Sequence, residues 1–139
     1  MKNPIFCALD IADPALVKGL AARLAPDVGG FKLGLEFFMA QGPAGIASAR
    51  PGGKPLFLDV KLHDIPNTVA GAMQSLLPLR ADFITIHCAG GGAMLRAARD
   101  TAAQAGAARP RLLGVTVLTS LDSADMAATG QDRDIRAQS

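Results

Sequence analysis

Residues 57–69 read FLDVKLHDIPNTV, and within them Asp59, Lys61 and Asp64 fall inside six residues, directly after the apolar run PLFL (55–58). Charges of alternating sign at the end of a buried-looking strand need a reason, because an unpaired buried charge costs several kcal/mol, on the order of a domain's whole stability margin. Such an array is either chemical machinery or a self-compensating network. The chemistry is restricted by the partners. A lysine between Asp59 and Asp64 has its ammonium form favoured, which makes it a poor amine nucleophile and a poor general base. It suits a proton donor, or a fixed cation facing developing negative charge. A Schiff-base lysine wants the opposite surroundings, apolar or beside a second cation. The reading is therefore carbanion chemistry with a protonated lysine.

The elements that must position these residues repeat one rhythm: a short apolar run ending in a polar residue, then a helical pattern. IFCALD (5–10) precedes DPALVKGLAARLA (13–25), where Asp13 fits an N-cap and Pro14 a first helical residue. GFKLG (30–34) precedes LEFFMAQG (35–42) and an Ala/Gly-rich helical stretch to about Arg50; PLFLDVKL (55–62) precedes PNTVAGAMQSLLPL (66–79). DFITIHC (82–88) precedes GGGAMLRAARDTAAQAG (90–106), and RLLGVTVLTS (111–120) precedes LDSADMAATG (121–130). Strands alternating with helices predict parallel β/α units joined by short connections, with no linker between parts.

An open doubly wound sheet and a β/α barrel both fit this alternation. The open sheet favours a glycine-rich loop after its first strand, and the first loop here, DIADPA, has no glycine. A barrel places its chemistry at the C-terminal ends of several strands, where Asp10, Lys32, Asp59, Lys61, His87 and Thr119 fall. Side-chain alternation puts Phe57, Asp59 and Lys61 on one face of the third strand and Leu56, Leu58 and Val60 on the other. In a barrel the aliphatic face packs on the outer helices, and the charged face points to the mouth. The same parity turns Phe6, Ala8 and Asp10 inward on the first strand, Lys32 on the second, and Phe83, Thr85 and His87 on the fourth. The expected fold class is α/β, a partial TIM (β/α)8 barrel of strands 1–5 with outer helices, lacking the C-terminal closing units, and residues 1–139 are expected to form one incomplete domain.

Composition removes other classes. With half of the residues apolar and 19% charged, disorder is excluded. The net charge of +2 is scattered along the chain, and without Trp or Tyr there is little to stack on bases, so no nucleic-acid partner is expected. Asp10 and Asp13 interrupt any signal-like apolar core at the N-terminus, and no apolar run reaches a membrane span. The expected setting is cytoplasmic, with no membrane partner. Cys7 and Cys88 have no metal or redox spacing and each lies in an apolar run, so both are expected to be buried reduced thiols.

At these residues the sequence resembles the orotidine 5′-phosphate decarboxylase family. The family's D-x-K-x-x-D stands here as Asp59, Lys61 and Asp64, followed by I-P-N-T as Ile65, Pro66, Asn67 and Thr68. ALDIAD resembles its first strand, FKLGLEFF its second, ITIHCAGG its fourth and GVTVLTS its fifth. The resemblance implies cofactor-free, metal-free decarboxylation of orotidine monophosphate to UMP. Lys61 would stabilise the C6 carbanion and deliver its proton, and Asp59 would crowd the departing carboxylate and hold Lys61. Asp10 and Lys32 would bind ribose hydroxyls, and Thr119, with Ser120 beside it, would contact the pyrimidine. Asp64 and Thr68 would reach into a neighbouring subunit's site, which implies a homodimer.

Two readings stay beside it. A complete β/α barrel takes about 250 residues, and the rhythm stops after five units, so the family's phosphate-gripping arginine has no counterpart; QDRDIRAQS (131–139) reads as a helix cut off partway, and a truncated, non-catalytic fragment is one reading of the chain. A magnesium-dependent sugar-phosphate decarboxylase or aldolase shares D-x-K-x-x-D but carries an acidic metal ligand on the second strand, where this chain has Lys32. The remaining features have plain readings: His63 as a solvated loop residue, His87 as support for the charged network or as core packing, AGGGA (89–93) as a tight strand-to-helix turn rather than an anion site, and the methionines as core filler.

Overall fold

The structure, a computed structural model, describes residues 3–50 and 53–131. Five parallel strands pair in chain order: β1 (Phe6–Ala8), β2 (Gly30–Gly34), β3 (Leu56–Leu62), β4 (Phe83–His87) and β5 (Arg111–Val115). The connecting helices are α1 (Pro14–Leu24), α2 (Leu35–Ala49), α3 (Pro66–Leu76) and α4 (Gly91–Ala103), and α5 (Ser123–Ala128) follows β5. Sequential parallel order with a helix after each strand is the barrel arrangement and not the doubly wound one, whose strand order reverses at a switch point. Among the described residues β1 and β5 are the edges of the sheet.

The start of α1 follows local chemistry. Asp13 accepts from the backbone N–H groups of Ala15 at 2.7 Å and Leu16 at 3.3 Å, and Pro14 opens the helix. α2 is kinked where Gly42 takes φ +61° ahead of Pro43, a conformation open to a residue without Cβ. α3 stops at Leu76 rather than near Leu79. Pro78 lacks the N–H that a further α-turn would need, and Leu77–Leu79 tightens into a 3₁₀ turn. α5 is shorter than the 121–130 pattern because Asp122 and Asp125 form a reciprocal capping box that fixes its start. The terminal segment read as a cut-off helix lies, from residue 132 onward, outside the described residues.

The core lies between one face of the sheet and the helices. Leu56, Leu58 and Val60 of β3 are buried with Phe31 and Leu33 of β2 and Ile84 and Ile86 of β4. Val17, Phe37, Ile46, Val69, Met73 and Met94 cover them from the helices. This is the expected aliphatic face, and the alternate residues Lys32, Asp59, Lys61, Thr85 and His87 therefore all emerge on the other side. At the opposite end of that face Phe6, Phe57 and Phe83 meet edge to face, with ring centroids 5.4–6.2 Å apart.

Three expectations are corrected. Cys7 is only partly buried and Cys88 is exposed, both as free thiols, because Cys88 has left β4 for a short 3₁₀ turn (Cys88–Gly90). Met39 is 75% exposed on α2 and is not core filler, unlike Met73, Met94 and Met126. β5 ends at Val115, where its partner β4 ends at His87, so Thr119 and Ser120 sit on an exposed turn beyond the ladder rather than at a strand end.

Candidate active site

The strand ends bring four of the expected residues together. Asp59, on the inward face of β3, is the hub: its side chain is 14% exposed, Lys61 Nζ lies 2.9 Å from Oδ1, and Lys32 Nζ lies 3.2 Å from Oδ2. Lys32 also reaches Asp10 Oδ1 at 3.5 Å, past the end of β1. Thr85 of β4 donates its hydroxyl to Asp59 Oδ1 at 3.0 Å. The order Asp10, Lys32, Asp59, Lys61 thus alternates in charge across three adjacent strands, which is how a two-lysine, two-aspartate cluster compensates itself in a half-buried setting.

Electrostatics agree with the geometry. Burial works against the Asp59 carboxylate, but hydrogen bonds from Lys61, Thr85 and Lys32, with the Lys61 charge, outweigh it and hold the carboxyl below its ordinary range. Asp59 is therefore anionic where Lys61 Nζ meets it.

A lowered folded-state pKa has a sign for stability. The contribution of Asp59 is fully present above the ordinary aspartate value of 3.8 and is lost as pH falls through the lower folded-state value. Asp59→Asn, which cannot titrate, should unfold at a lower temperature than the natural chain at neutral pH, with the gap closing below about pH 4. Thermal unfolding midpoints between pH 7 and pH 2 measure this; a gap that stays constant across the range would show that the carboxylate's charge does not stabilise the fold.

The remaining expected residues stand apart from this cluster. Asp64 is exposed and its Oδ1 accepts from the Ile65 N–H at 2.6 Å. Among the described residues it makes no ion pair with Lys61, so the lysine is flanked by one carboxylate and not by two. Ile65, Pro66, Asn67 and Thr68 open α3 at the surface, with Ile65 67% exposed. Thr119 and Ser120 are exposed, and among the described residues no hydrogen bond joins them to the charged cluster.

Sequence reasoning passed over three contributors. Thr85 was placed on the inward face, but nothing in its type marks it as the partner of Asp59. Gly34 lies opposite Asp59 in the β2–β3 register, and a methyl group there would approach Asp10 Oδ1 to 3.0 Å and Lys32 Nζ to 3.8 Å; a glycine at a strand end was the available signal. His63 does more than face solvent, since its ring lies 5.1 Å from that of His87. Burial, then the charges of His63 and Lys61, push His87 toward its neutral form. The AGGGA segment is a turn into α4, as expected.

Comparison with known proteins bears on this arrangement. Residues 3–138 match the profile described as the orotidine 5′-phosphate decarboxylase / HUMPS family. The chain is 51% identical to the orotidine 5′-phosphate decarboxylase of Paramagnetospirillum magneticum over 99% of its own length and 60% of that relative's. It is 48% identical to the enzyme of the same name from Rhodospirillum rubrum over 93% of this chain and 54% of the relative. The crystal structure of orotidine 5′-phosphate decarboxylase from Lactobacillus acidophilus superposes with a TM-score of 0.81 at 33% identity, covering 96% of this chain and 61% of that one. The chain therefore spans between about half and three fifths of the length of these relatives.

Proposed function

The chain belongs to the orotidine 5′-phosphate decarboxylase / HUMPS family, and from that premise we propose that its residues serve cofactor-free decarboxylation of orotidine monophosphate to UMP and CO2 in de novo pyrimidine biosynthesis. One observation carries the reading: Lys61 Nζ sits 2.9 Å from a largely buried, anionic Asp59 that is held on its other oxygen by Lys32. When the bond between C6 and the carboxylate breaks, its electron pair stays on C6 and CO2 leaves. The Lys61 ammonium faces that negative charge and then gives C6 a proton, leaving a neutral amine to be reprotonated from solvent. Asp59 fixes the ammonium, and its charge opposes that of the departing carboxylate. Asp10 and Lys32 bind ribose hydroxyls, and Thr119 and Ser120 meet the pyrimidine from their turn.

In this reading residues 1–139 form a single incomplete β/α-barrel domain acting in the cytoplasm, and the substrate phosphate is held by barrel units beyond those described. The assembly is a homodimer with shared sites. Asp64, Ile65, Pro66, Asn67 and Thr68 stand exposed beside the cluster instead of within it, as residues serving a neighbouring site would. An apolar groove of about 310 Å³ between α2 and α3 is lined by Leu35, Phe38, Met39 and Leu62. Leu35 at its rim is 49% exposed, so a second copy has apolar surface to cover. Among the described residues no helix is long and apolar enough to cross a membrane.

The test is a substrate absorbance assay on residues 1–139 joined to the closing units of the Paramagnetospirillum magneticum relative. Conversion of orotidine monophosphate supports the reading; a folded, closed barrel without conversion removes it. The magnesium-dependent alternative makes a different forecast. The Lys32 ammonium already occupies the Asp59 oxygen that a divalent ion would seek, so exhaustive chelation should leave the rate of the completed barrel within about twofold of the untreated rate. Activity lost with chelator and restored by magnesium would favour that alternative.

A further inference from the structure

The β3–β4 ladder does not run evenly past the charged cluster. Leu58 pairs with Ile84, but Leu62 pairs with Ile86, so β3 advances four residues while β4 advances two. The surplus is absorbed at Lys61, whose φ is +48°, a left-handed conformation that a long side chain adopts only when its surroundings impose it. The bulge takes the Lys61 N–H out of the strand ladder. That N–H donates instead to Thr85 Oγ1 at 2.9 Å. The same hydroxyl donates to Asp59 Oδ1 at 3.0 Å, the oxygen that Lys61 Nζ reaches at 2.9 Å. One atom therefore ties the backbone of the lysine to the carboxylate that aims its ammonium.

Thr85 is placed to do this rigidly. It is 5% exposed, and its neighbours in the ladder, Ile84 and Ile86, are buried; its partner across the next ladder is Leu113 of β5. Thr101, the other buried polar side chain among the described residues, satisfies a carbonyl of its own helix, so Thr85 is the one whose hydrogen bonds cross between strands. The hydroxyl offers one donor and two acceptor sites, and the donor is committed to Asp59. The charged and titratable groups around Asp59 come from every side: Lys32 from β2 with Asp10 beyond it, Lys61 from β3 itself, and His87 from β4 with His63 behind. Among the described residues none of these holds the Lys61 backbone.

We propose that Thr85 is a positioning residue for the lysine, holding Lys61 in its left-handed conformation and aligning Asp59 with it through a single hydroxyl. The proposal rests on Lys61 being the proton donor, but the geometry can be tested without turnover. Thr85→Val keeps the shape and removes both hydrogen bonds; Thr85→Ser keeps both. Residue-resolved hydrogen exchange on the purified chain, read by mass spectrometry, should show the Lys61 amide exchanging at least about tenfold faster in the valine variant, with β2 and the helices unchanged. The serine variant should match the natural chain. A Lys61 amide that exchanges alike in the natural chain and the valine variant overturns the proposal, as does a serine variant that behaves like valine. In the completed barrel the valine variant should lose kcat by about 10- to 100-fold with KM changed far less, and the acid limb of its pH profile should move upward because Asp59 has lost a donor to its charged form. A completed barrel without decarboxylase activity, but with the exchange differences intact, removes the proposed function and leaves the positioning role.

Discussion

Lys61→Ala, made in residues 1–139 completed by a relative's closing units, should lower decarboxylation of orotidine monophosphate by about 10⁴-fold or more while leaving nucleotide binding measurable. Two effects are lost together. The proton at C6 has no other donor in place: Lys32, the nearest other ammonium, is held between Asp10 and Asp59 at 3.5 and 3.2 Å. The alanine also removes the cation that faces the developing charge and leaves Asp59 to oppose the substrate carboxylate alone. Ground-state binding should suffer less, because the proposed reading puts the ribose and phosphate contacts on other residues. Lys61→Arg separates the two effects: it restores a charge beside Asp59 but at neutral pH gives up no proton, so it should bind and turn over little better than alanine. Near-normal kcat in either variant would end the assignment of Lys61 as proton donor.

What the sequence revealed follows from which physical rules are local. Strand parity is local, and it placed Asp59 and Lys61 opposite Leu58 and Val60 as the structure does. Capping is local, and Asp13 and Pro14 open α1 as read. The convergence of Asp10, Lys32, Asp59 and Lys61 followed from parity together with the barrel's rule that strand ends share one mouth. What escaped depends on register. The β3–β4 bulge carries no sequence mark, yet it decides that Thr85 meets both Asp59 and the Lys61 amide. The tilted approach of the His63 ring to His87 likewise depends on where the loop after β3 passes the end of β4.

Asp64 shows the same limit from the other side. Its spacing from Lys61 suggested a second flanking carboxylate, but the chain turns after β3 and the side chain is engaged by the Ile65 N–H. Motif spacing reports which residues act together in an assembly. It does not report whether they meet within one chain. The exposed run from Asp64 to Thr68 keeps its place in the proposed site only through a partner, so the proposed homodimer would belong to the mechanism and not merely to the quaternary structure.

The chain as given, expressed alone, should associate and should turn over orotidine monophosphate at least about 10³-fold more slowly than the completed barrel. The described sheet has two open edges, β1 and β5, and an unpaired parallel edge offers a row of N–H and C=O groups to any other chain. Apolar surface lies beside both edges: Ile5 next to β1 is 57% exposed and Leu113 on β5 is 38% exposed. The Phe6–Phe57–Phe83 cluster, at the end of the inward face opposite the charged mouth, is only half-buried, and Arg111 crosses the Phe83 ring at 4.2 Å, covering part of it with a cation rather than with packed side chains. In a closed barrel, layers of side chains from alternate strands fill this space. Without them, edge pairing and apolar burial both reward contact with a second molecule. The expected catalytic loss has a separate cause: interactions with remote parts of a substrate lower the barrier at the reacting carbon, and the proposed reading puts the phosphate grip beyond the five described strands. Sedimentation velocity across micromolar concentrations, with the absorbance assay on the same samples, tests both halves. A monodisperse monomer whose turnover lies within tenfold of the completed barrel would mean that the closing units are dispensable, and that the charged cluster alone supplies what the mechanism assigns to the whole mouth.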